Sequence, residues 1–192
     1  PDIPSLIELA SHEVCLKDKK RFAANFKHIE EESNKIHASH LCQAVGKRYL
    51  VVNPPYPPYS TEEIDEAFDL PYTRLPHPKY KGKTIPAYEM IKFSVCLHRG
   101  CFGGCSFCAL TFHQGRVIQS RSHESILKEA EIITNQPDFK GYIHDVGGPT
   151  ANFYNKACKK QETKGACTDR QCLYPNKCPN LFVSHDDYLD IL

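Results

Sequence analysis

The chain has 192 residues, enough for one domain or slightly more, and its 24 lysines and arginines against 23 acidic residues leave a formal net charge of +1. This balance gives no indication of nucleic-acid binding, and no apolar stretch is long enough to cross a membrane. Hydrophobic residues make up 41% of the chain and charged residues 24%, which excludes wholesale disorder. No leader with a basic start and an apolar core is visible, so we expect a cytoplasmic protein.

Residues 1–47 have the pattern of a helical segment. Apolar residues recur there at helical spacing in two places, separated by charged runs. We therefore expect two amphipathic helices that pack on another part of the protein. The residues that carry this pattern are Leu6, Leu9, Ala10, Phe22, Phe26, Ile29 and Ile36.

Residues 48–88 are predicted to be a strand followed by a Pro-rich extended connection. Residues 48–53 form a short apolar run of β character that ends at Pro54 and Pro55. Residues 54–86 contain eight prolines, which oppose both a regular helix and a central strand. We therefore expect a long connection that wraps a surface.

From residue 89 onward, strands and helices are predicted to alternate. The order is a strand, a cysteine-rich loop, a helix capped by Ser122, a second strand, a short helix, a second cysteine-rich loop and a final helix from Ser184. This order is typical of a parallel sheet with crossover helices. The predicted ranges before the final helix are 89–96, 97–121, 122–136, 140–146, 150–158 and 159–183.

The first of these loops contains three cysteines with the spacing C-x3-C-x2-C. Cys101, Cys105 and Cys108 can bind one metal centre only if the backbone wraps tightly around it, and nearby glycines can adopt the positive φ that this requires. Structural zinc sites usually have four ligands in C-x2-C pairs. A [4Fe–4S] cluster held by three thiolates instead leaves one iron open to an outside ligand. The glycines of the loop are Gly100, Gly103 and Gly104.

This motif resembles the signature of radical S-adenosylmethionine (SAM) enzymes, C-x3-C-x-aromatic-C directly after a strand, with Phe107 in the aromatic position. The wider stretch at residues 98–133, together with GGPTANFY at residues 147–154, resembles the YgiQ-type family of radical SAM proteins. The resemblance covers roughly residues 48–180, which is most of the chain.

The resemblance implies an α/β fold, the partial TIM barrel of radical SAM proteins. Only the start of that barrel fits here, because about six βα units of roughly 30 residues each are needed. We therefore predict an N-terminal helical segment at 1–47, a strand and Pro-rich connection at 48–88, and a truncated radical SAM core at 89–192. The chain begins at Pro1, and we expect it to be an inactive fragment of a longer protein.

The resemblance also implies roles for individual residues. The three cysteines would bind three irons of a [4Fe–4S] cluster, and SAM would bind the fourth. The carbonyl of Phe107 would contact the adenine, and the backbone of Gly147 and Gly148 would contact the methionine part. Arg121, at the start of a helix, could place positive charge near the SAM carboxylate, or it could belong to an ordinary solvated loop.

The implied function is reductive cleavage of SAM to methionine and a 5′-deoxyadenosyl radical, which abstracts hydrogen from a substrate that the sequence does not identify. The expected partners are a reductase or a flavodoxin- or ferredoxin-type electron donor, and the remainder of the protein's own barrel. Residues 114–121 also resemble radical SAM methylthiotransferases. An alternative function is therefore methylthiotransferase-like modification of RNA or protein.

A second set of four cysteines lies within residues 158–178. These cysteines have few apolar neighbours, so we predict a second metal site, with either zinc or an auxiliary Fe–S cluster. The alternative is four free thiols. An alternative of another class for the whole chain is a non-catalytic structural module that binds zinc at both cysteine sets. The four cysteines are Cys158, Cys167, Cys172 and Cys178.

Overall fold

The computed structural model describes residues 5–149, 151–155 and 158–192. The fold is mixed α/β, as predicted. The short helix predicted over 150–158 falls partly on residues 150, 156 and 157, which lie outside the described residues. The chain divides into two compact units that do not follow the predicted boundaries. One unit comprises residues 1–58, 101–117 and 157–182, and the other comprises residues 59–100, 118–156 and 183–192.

The first unit contains a three-stranded sheet with the order β1-β2-β3. Strand β1 (Leu6–Leu9) runs parallel to β2 (His40–Val45), which pairs antiparallel with β3 (Arg48–Val52). Helices α1 (His12–Lys17) and α2 (Lys19–Ser33) connect the two parallel strands. Because β3 pairs with β2, the strand predicted at 48–53 belongs with the preceding segment and not with the proline-rich one.

The N-terminal segment is therefore only partly helical, and the helix expected near Leu6 is a strand. Its backbone pairs with β2, more than 30 residues away, and helical spacing of apolar residues carries no information about such a partner. A buried amide fixes the end of this strand against α2. The side chain of Asn25 accepts a hydrogen bond from the Ala10 N–H at 2.9 Å and donates one to the Ala10 carbonyl at 2.8 Å.

Helix α2 has the predicted apolar stripe, but only part of it is covered. The ring of Phe26 lies 6.1 Å from the ring of Phe112 in α5 (Leu110–Gln114), whereas Phe22 is 61% exposed. The aromatic pair ties α2 to the segment that carries the first cysteine loop.

A glycine joins the C-terminal part of this unit to the end of α2. Gly165 follows α7 (Lys159–Lys164) and forms an antiparallel bridge with Lys35, and the adjacent Ala166 N–H donates to the Asn34 carbonyl at 2.9 Å. Gly165 has a φ of +84°, and an added Cβ would lie 2.0 Å from the Asn34 oxygen. Only glycine fits at this crossing.

The second unit contains the predicted βαβ arrangement. Strands β4 (Ser94–Cys96) and β7 (Asp145–Gly147) are parallel, and α6 (His123–Thr134) connects them. Ser122 caps α6 as predicted, since its hydroxyl accepts a hydrogen bond from the Ser125 N–H at 3.1 Å. The buried core of this unit consists of Phe93, Val95, Leu97, Ile126, Ile133 and Tyr154.

The proline-rich segment contains a regular helix, so the prediction of an entirely extended connection is wrong. Helix α3 (Thr61–Phe68) begins with a capping box, in which the Ser60 hydroxyl accepts from the Glu63 N–H and the Glu63 carboxylate accepts from the Ser60 N–H. The prolines flank this stretch at positions 58 and 71, so none interrupts the helix.

The strand predicted over 89–96 is also partly wrong. Its first residues belong to α4 (Pro86–Ile91), where Pro86 occupies the first helical position, and β4 is only three residues long. Two short strands form a separate antiparallel pair, and no helix among the described residues is long and apolar enough to span a bilayer. The partial barrel stays a prediction. The remaining elements are a 3₁₀ turn (Pro78–Tyr80), β5 (His98–Arg99), β6 (Gln119–Ser120) and α8 (Asp186–Leu189).

Candidate metal centre and cofactor site

The three cysteines of the first loop lie in the first unit, immediately before α5. The loop is closed by the Cys101 N–H, which donates to the Gly115 carbonyl at 3.0 Å, and it contains a turn in which the Cys108 N–H donates to the Cys105 carbonyl at 3.1 Å. Cys101 is buried, Cys108 is half-buried and Cys105 is exposed. The loop thus has a buried side and an exposed side.

Two of the thiols approach the same backbone position. A Cβ added at Gly103 would lie 3.4 Å from the sulfur of Cys101 and 3.6 Å from that of Cys105. The Gly103 N–H also donates a hydrogen bond to the Cys101 sulfur at 3.4 Å. Hydrogen bonds of this kind stabilise cluster thiolates and tune their potential. Two of the three thiols, with a backbone N–H directed at one of them, are therefore of the chemical type that holds an iron–sulfur cluster.

The glycines of this loop serve two different needs. Gly100 and Gly104 have φ values of +88° and +64°, as the sequence predicted. Gly103 is not among the residues with positive φ, and it leaves room for the two sulfurs. As placed, no three cysteine, histidine or acidic side chains among the described residues could hold one metal ion. The ligand assignment to Cys101, Cys105 and Cys108 stays a prediction.

The residues predicted to contact SAM fall in both units. Phe107, in the cysteine loop, has a 91% exposed ring and adds nothing to a core. Gly147 ends β7 in the second unit, where its carbonyl accepts a hydrogen bond from the Leu97 N–H at 2.9 Å. The roles of the Phe107 carbonyl and the Gly147 backbone toward SAM stay predictions.

Gly148 has a packing partner that the sequence did not reveal. A Cβ added there would lie 2.1 Å from Nε2 of His98 and 2.7 Å from the Ala151 carbonyl oxygen. His98 is fully buried, and its Nε2 accepts a hydrogen bond from the Phe153 N–H at 3.1 Å. The only sequence signal for this role is that His98 follows the alternating buried residues of the first core strand. Gly148 is required by this contact whether or not it approaches SAM.

Arg121 is buried inside the second unit, at 1% exposure. Its guanidinium donates five hydrogen bonds, to the Cys96 carbonyl, the Glu129 carboxylate and, three times, to the backbone and hydroxyl oxygens of Ser125. It also stacks 4.2 Å from the centre of the Phe68 ring. All three nitrogens of the guanidinium therefore have partners within the protein. The burial gives no support to a solvated loop, and the engaged donors give none to a contact between Arg121 and the SAM carboxylate.

The second set of cysteines lines a single cavity of about 30 Å³ in the first unit. Cys158 is buried and the other three are half-buried. The pKa of the Cys172 thiol is raised, first by burial and then by the neighbouring Cys167, Cys158 and Cys178. Four cysteines that are spread over 21 residues therefore border one cavity. As placed, no three of them could hold one metal ion, and the second metal site stays a prediction.

Acidification is expected to destabilise the second unit through His98. Burial lowers the pKa of this imidazole, and the charge of Arg99 lowers it further. Above the ordinary histidine pKa of about 6.5 the ring is neutral in both states, and below it the unfolded chain binds a proton that the folded chain resists. The free energy of unfolding should therefore fall between about pH 7.5 and about pH 5.5.

Urea unfolding followed by far-ultraviolet circular dichroism at both pH values measures this loss. A His98→Gln variant, whose amide oxygen can still accept from the Phe153 N–H, should show a smaller loss, and an exposed-histidine control, His28→Gln, should lose as much as the unchanged chain. An equal loss in the His98→Gln variant would remove His98 as the cause.

Comparisons with known proteins agree with the motif. A family model described as Radical SAM N-terminal matches residues 2–94. A UPF0313 protein of Bacteroides thetaiotaomicron is 58% identical over 185 residues, which are 96% of the chain and 30% of the relative. UPF0313 proteins of Clostridium botulinum and Methanocella arvoryzae are 54% and 49% identical, each over the whole chain and over 30% and 32% of the relative.

No solved structure matches the chain at a significant level. The chain spans about 30% of the length of the curated relatives it matches. The family match covers the N-terminal segment, which the sequence had marked only as helical, and the match to the Clostridium botulinum protein covers the whole chain. The matches to UPF0313 proteins over nearly the whole chain, together with the family model, support the YgiQ-type, UPF0313 family of radical SAM proteins.

Proposed function

We propose that the protein containing this chain is a radical SAM enzyme, and that Cys101, Cys105 and Cys108 hold its [4Fe–4S] cluster. The observation that carries the proposal is the approach of two of these sulfurs to Gly103, whose N–H donates to one of them. Family membership supports the same assignment.

When bound, the cluster would supply the electron that cleaves SAM to methionine and a 5′-deoxyadenosyl radical. The residues of the loop contribute charge stabilisation and space to the cluster site. The Gly103 N–H offsets negative charge on the buried Cys101 sulfur, and the exposure of Cys105 leaves one side of the loop open. Gly103 keeps the space between the two sulfurs free of a side chain.

The rest of the proposal concerns contacts and partners. We assign the Phe107 carbonyl and the Gly147 backbone to SAM, and we leave Arg121 out because its donors are engaged. The electron would come from a reductase or from a flavodoxin- or ferredoxin-type donor. We place the protein in the cytoplasm, whose reducing conditions keep cysteine thiols available as metal ligands.

Anaerobic reconstitution with iron and sulfide tests the proposal. We expect a brown protein whose reduced form gives an electron paramagnetic resonance signal that changes when SAM is added, because SAM binds the open iron. The matched control is Cys96→Ala, which changes a half-buried thiol outside the loop and should behave like the unchanged protein.

The rival function is a structural module with zinc at both cysteine sets. A colourless protein that keeps zinc at Cys101, Cys105 and Cys108 after reconstitution would support it and would overturn the radical SAM proposal. If the protein is brown but its electron paramagnetic resonance signal does not change when SAM is added, the cluster assignment stands and the proposed SAM site is wrong.

A further inference from the structure

The cavity lined by Cys158, Cys167, Cys172 and Cys178 is small, about 30 Å³, and segments on both sides of α7 contribute to it. Four cysteine sulfurs are the ligand type and number of a structural zinc site, in which each sulfur lies about 2.3 Å from the ion.

The local backbone holds the four cysteines near one another. Cys158 lies immediately before α7, and the Cys178 N–H donates to the Cys172 carbonyl at 2.8 Å. The last two cysteines are therefore paired across a turn. On the other side of α7, the crossing at Gly165 fixes the chain just before Cys167.

The surroundings suit an anionic thiolate site. Gln161 is buried at 3% exposure, and its amide donates to the Cys172 sulfur at 3.5 Å, as outer partners of metal ligands do. Lys160 and Arg170 also line the cavity. Four thiolates around a divalent cation carry two negative charges. Lys160 brings positive charge to the cavity, while Arg170 is already paired with Asp169 at 2.9 Å.

Apolar burial gives little reason for this loop to be ordered. Between residues 158 and 182, the described apolar side chains that are buried, besides Cys158, are those of Ala166 and Leu181. Tyr174 is 73% exposed. The entropy lost on ordering some 20 residues must therefore be offset by something else, and metal–thiolate bonds can supply that free energy.

We propose that Cys158, Cys167, Cys172 and Cys178 bind one zinc ion as four thiolates, at a site separate from the first cysteine loop. As placed, no three of these sulfurs could hold one ion, so ligation requires them to lie closer together than in this structure. This proposal does not depend on the iron–sulfur cluster or on SAM.

The test uses a Cys101→Ala, Cys105→Ala, Cys108→Ala protein, so that metal in the first loop does not interfere. We expect one zinc per chain by plasma mass spectrometry, and release of that zinc when a mercurial reagent titrates the thiols. Replacement of the zinc by Co²⁺ should give the charge-transfer and d–d absorption of a tetrahedral thiolate site.

Adding Cys172→Ser or Cys178→Ser to this protein should lower the zinc content at least tenfold, whereas adding Cys42→Ser should not. If a serine variant fails to fold, the mercurial titration on the intact thiols still decides the question. Zinc that stays bound throughout the titration, or no stoichiometric zinc, would overturn the proposal. Iron with sulfide at this set would also overturn it, in favour of an auxiliary cluster.

Discussion

Alanine at any one of Cys101, Cys105 or Cys108 is expected to abolish the [4Fe–4S] cluster. Three thiolates are the minimum that holds four irons while one iron stays open, so two cannot replace them. Iron and sulfide content after anaerobic reconstitution, together with visible absorption, measures the loss. We expect less than about a tenth of the iron bound by the unchanged protein.

Two controls separate ligation from folding. Cys96→Ala removes a thiol that donates to the His98 carbonyl and should keep the full iron load. Circular dichroism should show that the alanine variants keep their secondary structure, because the loop has few regular elements. A single alanine variant with full iron and an unchanged spectrum would show that its cysteine is not a ligand.

Removing the charge of Arg121 is expected to give the largest loss of stability. Arg121→Met leaves the buried Glu129 with Arg74 as its one remaining ion-pair partner among the described contacts, and it removes five hydrogen bonds. Breaking one side of a buried pair costs about 3–5 kcal/mol. Urea unfolding followed by circular dichroism measures this loss of unfolding free energy. The dependence of that free energy on urea concentration should be compared between the proteins, because the two units need not unfold together.

Lys128→Met is the matched control in the same unit. Lys128 pairs with Asp69 at 2.6 Å, but the Lys128 side chain is 54% exposed and that of Asp69 is 32% exposed, so the expected cost is below about 1 kcal/mol. An Arg121→Met protein as stable as this control would contradict the buried network. Arg121 would then again be a candidate for binding the carboxylate of SAM.

Local sequence patterns predicted the elements whose cause is local. Ser122 marks the start of α6 because a hydroxyl that caps a helix acts within three residues. The parallel pairing of β4 and β7 followed from the order of strand, helix and strand. Helix α3 was missed because the prediction used the total of eight prolines in residues 54–86. No proline lies between positions 58 and 71, so a helix can form there.

Long-range contacts account for what the sequence could not predict. Strand β1 depends on pairing with β2, and the burial of Arg121 depends on Glu129 and on the Phe68 ring of α3. The cysteine sites depend on both local spacing and long-range contacts. Their spacing indicated two separate sets, but only the structure shows that Gly103 lies between two sulfurs and that four thiols surround one small cavity.

The crossing of Gly165 with residues 34 and 35 has a consequence for biosynthesis. The ribosome releases the N-terminal sheet and α2 some 130 residues before the segment that completes their unit. At about 5–20 residues per second, this delay is on the order of ten seconds. During the first part of it, before Phe112 is synthesised, Phe26 lacks its aromatic partner, and the exposed stripe of α2 is open to a chaperone or to a second nascent chain. Slow translation and the supply of metal to the later cysteines should therefore influence how much of the protein reaches its folded state.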